Sequence, residues 1–380
     1  MRKIAIMLCA ALTVGMLTGC DSNFLPRSQD ISHVELVRTI AVDSGEQDRV
    51  KITVSSGVKR TVDGSTSKPL ILEQEAETVF SACQMIQKNG SGYVSYGHVT
   101  ECVVGKEAAR AGIDRVLDYI QRDFEMRLDT LLFLLDQGEA GTLLNRTADK
   151  DSAATERFQE IAREMPLKSE SWPCSVREFL VDLYDNGWSM MPVVKLAKER
   201  DGYGISTSGM ALFYETELAD QLDTQTSQGA CLLLNQGKVG YEDLTLKEGG
   251  VVGLKLTDEN CNWSVQWTGD TLTGMTAELQ VTADLAEVSG TVDLQEAAVL
   301  REIEEKLSAR ITEEAVAALR KEKEHGDYLH LEREVAVRYP GKIKLICENW
   351  DQWLDALTFH INTRAAIRQS YDVGRGVEQS

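Results

Sequence analysis

Apolar residues along the chain keep two different periods, and the switches between them outline the architecture. Val50, Ile52 and Val54 alternate with polar neighbours, the two-residue period of a half-buried strand. Residues 34–43 and 49–58 read as two strands, with Ser44-Gly45-Glu46-Gln47 as the hairpin turn between them. Residues 73–88 carry an apolar stripe and stop at Asn89-Gly90, which predicts a helix. A strand is expected over 93–104. A helix follows over 106–122, with Ala109, Ile113, Val116, Leu117 and Ile120 on one face. The short run 128–135 reads as a buried strand, and further helices are expected near 153–165 and 175–186. Alternation of this kind belongs to an α/β or α+β domain.

The texture changes near residues 198–204, where Asp201-Gly202-Tyr203-Gly204 reads as a boundary. Strand-like runs then dominate to about residue 291, at 210–214, 251–256, 264–268 and 275–281. Residues 294–323 are helical: Leu300, Ile303, Leu307, Ile311, Ala315 and Leu319 recur every three or four positions, as in a helix laid across a sheet. Finally Leu357, Phe359, Ile361, Thr363, Ala365 and Ile367 alternate with polar or basic residues in one long strand. The fold class is therefore α+β (mixed α/β) in two to three domains. The N-terminal domain, 32–200, holds a mixed sheet with helices. The C-terminal domain, 205–372, is strand-rich with a long helix and a final long strand, and divides again near 295.

The start of the chain belongs to neither domain. Met1-Arg2-Lys3 precedes an apolar run of about a dozen residues, too short for a spanning helix, which needs roughly 20. Residues 1–19 therefore read as a secretory leader. The leader ends Leu17-Thr18-Gly19-Cys20, the pattern of a lipobox, in which small residues fit the peptidase and the cysteine thiol takes the diacylglyceryl group. Cys20 is the expected lipid attachment site, and 20–31 a polar tether. Two acyl chains give stable attachment where one does not.

Charge limits the partners. The chain carries −20, and losing Arg2 and Lys3 makes it −22. Such a body is repelled by nucleic acid and by anionic lipid, so no nucleic-acid partner is expected and the lipid must do the holding. Cleavage and lipidation leave six free cysteines. Cys83, Cys102, Cys231 and Cys347 sit in apolar contexts and read as small core residues, while Cys174 and Cys261 read as loop positions. The reduced state is expected.

The usual signatures of chemistry are absent from the sequence. Gly105-Lys106, Gly237-Lys238 and Gly341-Lys342 lack the following Ser or Thr that a P-loop uses for magnesium. There is no Gly-x-Ser-x-Gly elbow and no Cys-x-x-Cys pair. His325 and His330, with Glu324 or Asp327, are either a metal site or solvated residues around Gly326, and the second reading is preferred. His98 and Cys102 would share a strand face, but Cys102 reads as core. No cofactor, metal or catalytic residue is expected, and the chain is read as a non-enzyme.

Taken together these segments resemble the Ger(x)C family, the lipoprotein C subunit of nutrient germinant receptors in spore-forming bacteria. The carrying residues are the lipobox at Cys20, the hairpin Ile40-Ala41-Val42-Asp43 with Val50-Lys51-Ile52-Thr53-Val54, and Tyr96-Gly97-His98-Val99. To these are added Ala108-Ala109-Arg110-Ala111-Gly112-Ile113 and the stretch from Leu117 through Asp123-Phe124-Glu125-Met126-Arg127. Toward the end, Gly326, Tyr339, Trp350 and the strand 357–368 match the family pattern. The family often has Trp-Asp after the lipidated cysteine, where this chain has Asp21-Ser22. The resemblance implies a mixed α/β fold without a catalytic centre and a place on the outer face of the spore inner membrane. It also implies association with two integral membrane subunits, A- and B-type, in a complex that starts germination. Arg364 and Arg368 on the last strand are the candidate partner surface, a solvated strand face being the other reading. The alternative function is a solute-binding lipoprotein of a transporter, which predicts two similar lobes around a cleft.

Overall fold

Leu131–Leu135 is apolar at every position, a composition that suits a strand covered on both faces, and it lies near the middle of the larger of two main sheets. The computed structural model describes residues 34–368, apart from 58, 61–65, 91, 149–153, 201, 238, 248, 291, 293 and 295. The first elements are β1 (Val34–Leu36), β2 (Thr39–Ser44), β3 (Val50–Ser55), β4 (Lys59–Arg60), β5 (Thr66–Ser67) and β6 (Ile71–Ala76). Then come α1 (Val79–Asn89), β7 (Tyr93–Ser95), β8 (Glu101–Gly105), α2 (Lys106–Ala111), α3 (Asp114–Arg122), β9 (Leu131–Leu135), α4 (Ala140–Thr147), α5 (Ala154–Glu164) and α6 (Val176–Asn186). The second half runs β10 (Trp188–Glu199), β11 (Gly202–Tyr214), β12 (Glu217–Gln221), α7 (Thr224–Leu233), β13 (Gly240–Thr245), β14 (Val251–Thr268) and β15 (Thr271–Ser289). It ends with α8 (Ala297–His325), α9 (Leu331–Arg338), α10 (Ile343–Ala356) and β16 (Thr358–Arg368).

The eight-stranded sheet has the order β12-β11-β10-β9-β8-β2-β3-β6. Its four central strands are parallel, and antiparallel strands flank them on both sides. Leu132 and Leu134 turn to one face, where α1, α2, α3 and α6 cover them. Phe133 and Leu135 turn to the other, under α4 and α5, with the Phe133 and Phe158 rings 4.7 Å apart. The second sheet, β13-β14-β15-β16, packs one face on the helices α7 to α10. The stripe of α8 behaves as its spacing requires: Ile303, Leu307, Ile311, Ala315 and Leu319 are buried. Trp188, Met190, Met210 and Leu212 of β10 and β11 belong to this same core. The chain turns from β10 to β11 between Glu199 and Gly202, at the position where the sequence suggests a boundary.

The mixed α+β class holds, and several elements differ from their expected limits. Residues 73–76 are strand rather than helix. Glu73 and Glu75 pair with Thr53 and Lys51 across β3, and the Lys51 ammonium lies 3.4 Å from Glu73, so cross-strand pairing overrides their helical preference. The helix starts after Thr78, whose hydroxyl accepts the Ser81 N–H at 3.0 Å. The expected strand 93–104 is two strands on two sheets, and the expected helix 106–122 breaks at Gly112, with φ of +101°. The runs 251–256 and 264–268 join in one strand of 18 residues, which places Cys261 in a strand rather than a loop. Helices α4, α7, α9 and α10 are additional.

Candidate functional site

Cys20, the tether and His33 lie outside the described residues. The second predicted site, β16, is in view. Thr358, His360, Asn362, Arg364, Ala366 and Arg368 all face solvent, as the alternation requires. Arg368 is held: its guanidinium meets Asp284 at 3.1 Å and donates to the Thr257 hydroxyl at 2.6 Å. Arg364 stands opposite Gln280 and makes no ion pair among the described residues. The structure thus separates the two arginines, one braced on its own sheet and one available.

β16 is also an edge strand, and open edges invite other chains. Here α8 closes it. The Ala365 N–H donates to the Ser308 hydroxyl at 3.0 Å and the Ile367 N–H to the Glu304 carboxylate at 3.1 Å. The Thr312 and Thr363 hydroxyls meet at 2.7 Å, and Lys323 donates to the Leu357 carbonyl at 2.6 Å. The available surface is therefore the outer sheet face, not the backbone edge.

A second feature lies at the carboxyl ends of β2, β8 and β9, where open α/β sheets commonly bind ligands. An open cavity of about 470 Å³ is lined there by Asp43, Lys106, Arg110, Asp136 and Glu139, among others. The chain fills the anion position itself: the buried Asp43 carboxylate accepts the Ala140 and Gly141 N–H groups at 2.7 and 2.8 Å, at the start of α4. Burial still raises the Asp43 pKa above the usual aspartate value. Lys106 is occupied as well, by Gln221 at 2.5 Å and Asp136 at 3.7 Å. The cavity's lining contains no cysteine or histidine.

The histidines do not converge on a metal, and no cluster of three ligating side chains occurs among the described residues. His325 bonds Asp220 at 2.9 Å. His330 corrects the solvated reading: it is only 4% exposed, wedged between α6 and α9 with Asp185 at 3.5 Å and Asp182 at 3.8 Å. Burial lowers its pKa despite those aspartates. His98 is exposed in a turn and Cys102 is fully buried, its thiol pushed up to about 12, so they form no nucleophilic pair. Cys347 is exposed, contrary to its expected core position, because it falls on the outer side of α10. The six described cysteines are free thiols.

Sequence reasoning missed the buried acids, for which a chain with 60 carboxylates gives no local signal. Glu314 is pushed up to about 8 by burial, with Glu242 adding to the effect and Arg310, 3.2 Å away, opposing it. Burial raises Glu322 as well, beside Asp327, while its carboxylate accepts the Leu329 N–H at 2.9 Å. Glu322 thus ties the last turn of α8 to the segment that follows it, while Glu314 lies within α8 beside Arg310.

The class of protein that this architecture defines is a mixed α+β body built on an eight-stranded and a four-stranded sheet, the second with a polar outer face. Comparison with known proteins gives the family. Residues 27–196 match the spore germination protein N-terminal domain, and 208–371 match the spore germination B3/GerAC-like C-terminal domain. The chain belongs to the Ger(x)C family of spore germination proteins. YfkR of Bacillus subtilis (strain 168), which its name places in spore germination, is 24% identical over 237 residues; the match covers 59% of this chain and 59% of that protein. The chain thus spans about three-fifths of the length of this curated relative. The crystal structure of the GerBC protein superposes with a TM-score of 0.57 at 14% identity, covering 86% of this chain and 96% of the other, which shows a shared fold. No described helix is long and apolar enough to cross a membrane.

Proposed function

We propose that the chain is a non-catalytic, lipid-anchored subunit of a spore nutrient-germinant receptor. It is held through Cys20 to the outer face of the spore inner membrane and works beside the A- and B-type integral membrane subunits. The observation that carries this reading is the extent of the family likeness, residues 27–196 and 208–371, downstream of a lipobox pattern at 17–20. Confinement by lipid raises the effective concentration of the body near its partners, so modest contacts suffice. The outer sheet face around Arg364 is the proposed contact. A solute-binding role has less support, because an eight-stranded and a four-stranded sheet do not make two similar lobes. Cys20→Ala tests the reading: the protein is expected to leave the membrane fraction and germination to slow. Normal germination with a fully soluble variant would refute it.

A further inference from the structure

Phe124 is 91% exposed, more than any other large apolar side chain described. Its loop is nevertheless tightly fixed. The Asp123 carboxylate accepts the Glu125 N–H at 2.9 Å, and the Asp123 N–H donates to the Tyr119 carbonyl at 2.9 Å. Glu125 turns inward, where its carboxylate accepts the Tyr93 hydroxyl at 2.7 Å, the Tyr96 N–H at 2.7 Å and the Ser95 hydroxyl at 3.2 Å. Met126 is buried. Asp123, Glu125 and Met126 are thus committed to the protein, while the Phe124 ring is presented outward. A loop backbone already fixed in place loses little further entropy when the ring it carries meets a partner.

The place of this loop identifies the partner. Glu125 grips Ser95 and Tyr96. β7 pairs with β1, and the Val37 N–H donates to the Ser95 carbonyl at 2.9 Å. The loop therefore adjoins the strand by which the chain enters the body, and Leu36 on that strand is also exposed. Val34 follows Cys20 by 14 residues, a reach of at most ~50 Å. The nearby Arg122 and Arg127 are engaged by Asp118 at 2.7 Å and Asp129 at 2.6 Å, so attraction to anionic headgroups is weak, and the exposed apolar side chains of the loop, Phe124 above all and Leu128 beside it, remain to make contact. The geometry points to Phe124 dipping into the outer leaflet of the bilayer that carries the anchor, which fixes the body's orientation. This rests on the anchored-subunit reading above.

The test uses the lipidated protein in phosphatidylcholine vesicles, with Cys347→Ser and an environment-sensitive NBD label on Phe124→Cys. The emission is expected to shift to the blue and to be quenched by spin-labelled lipid. The same label on Asp270→Cys, in the turn between β14 and β15, is expected to do neither. A label at 124 that stays water-like on floating vesicles overturns the Phe124 contact and leaves the anchor intact. Protein that fails to float overturns the anchor and this contact with it. A shift that needs the integral membrane subunits assigns the ring to a protein partner and overturns the lipid contact.

Discussion

Gly229 lies where α7 crosses α8, and replacing it with alanine measures how closely the two helices approach. A Cβ at 229 would sit 2.5 Å from the Glu314 carbonyl carbon and 3.0 Å from the Ala315 nitrogen, with the Glu314 carbonyl oxygen nearer still. Carbon atoms rest at about 3.5 Å or more, so the helices must part by roughly 1 Å. The obstacle is backbone in a 29-residue helix whose apolar stripe is buried in the core, and it cannot swing aside. Overpacking costs about 1–3 kcal/mol, and the upper end applies to a backbone clash. Better helix propensity returns about 1 kcal/mol. The net loss is ~1–2 kcal/mol. Urea unfolding followed by circular dichroism should show a midpoint lower by ~0.5 M, taking a slope of roughly 3 kcal/mol/M. Gly341→Ala, with nothing within 4 Å of its Cβ, should stay within ~0.5 kcal/mol of the parent. A Gly229→Ala protein as stable as the parent would show that the helices do not meet there.

Three further outcomes follow from buried polar groups. Glu314 holds its proton up to about pH 8 in the folded state against an ordinary value of 4.5. The folded protein therefore binds a proton that the unfolded chain lacks, and stability falls as pH rises through that window; Glu314→Gln should flatten the slope of urea midpoints there, and parallel curves would count against the reading. Asp43→Ala strands two buried N–H groups at the start of α4 and should cost roughly 2–4 kcal/mol, with hydrogen exchange at Ala140 and Gly141 accelerating first; unchanged protection would refute the cap. Replacing both Ser308 and Glu304 with alanine uncovers the N–H groups of Ala365 and Ile367 and should produce concentration-dependent association on size exclusion. A variant that elutes like the parent at every concentration would show that the edge needs no guard.

The elements most legible in the sequence were those with one wet face. β16 and α8 follow their periodicity almost residue for residue because each packs on one side only. α7 gave no such signal: Thr226, Ser227, Gly229 and Ala230 are all buried, and small residues chosen for close approach carry no hydrophobic stripe. β6 misled because its glutamates serve cross-strand pairing. Asp43 was visible only as part of a hairpin, since the amides it holds lie 97 and 98 residues away. The exposure of Phe124 was equally hidden, because the inward turn of Glu125 beside it depends on partners 29 to 32 residues away.

The long hairpin of β10 and β11 faces two cores at once, Met191 and Ala211 toward the first sheet's helices and Trp188, Met190 and Leu212 toward the second. The two cores thus share the strands of one hairpin, so a change of packing on one of its faces bears directly on the other. A protease nick at the hairpin tip, between Glu199 and Gly202, would cut the covalent link and leave the fragments clasped together.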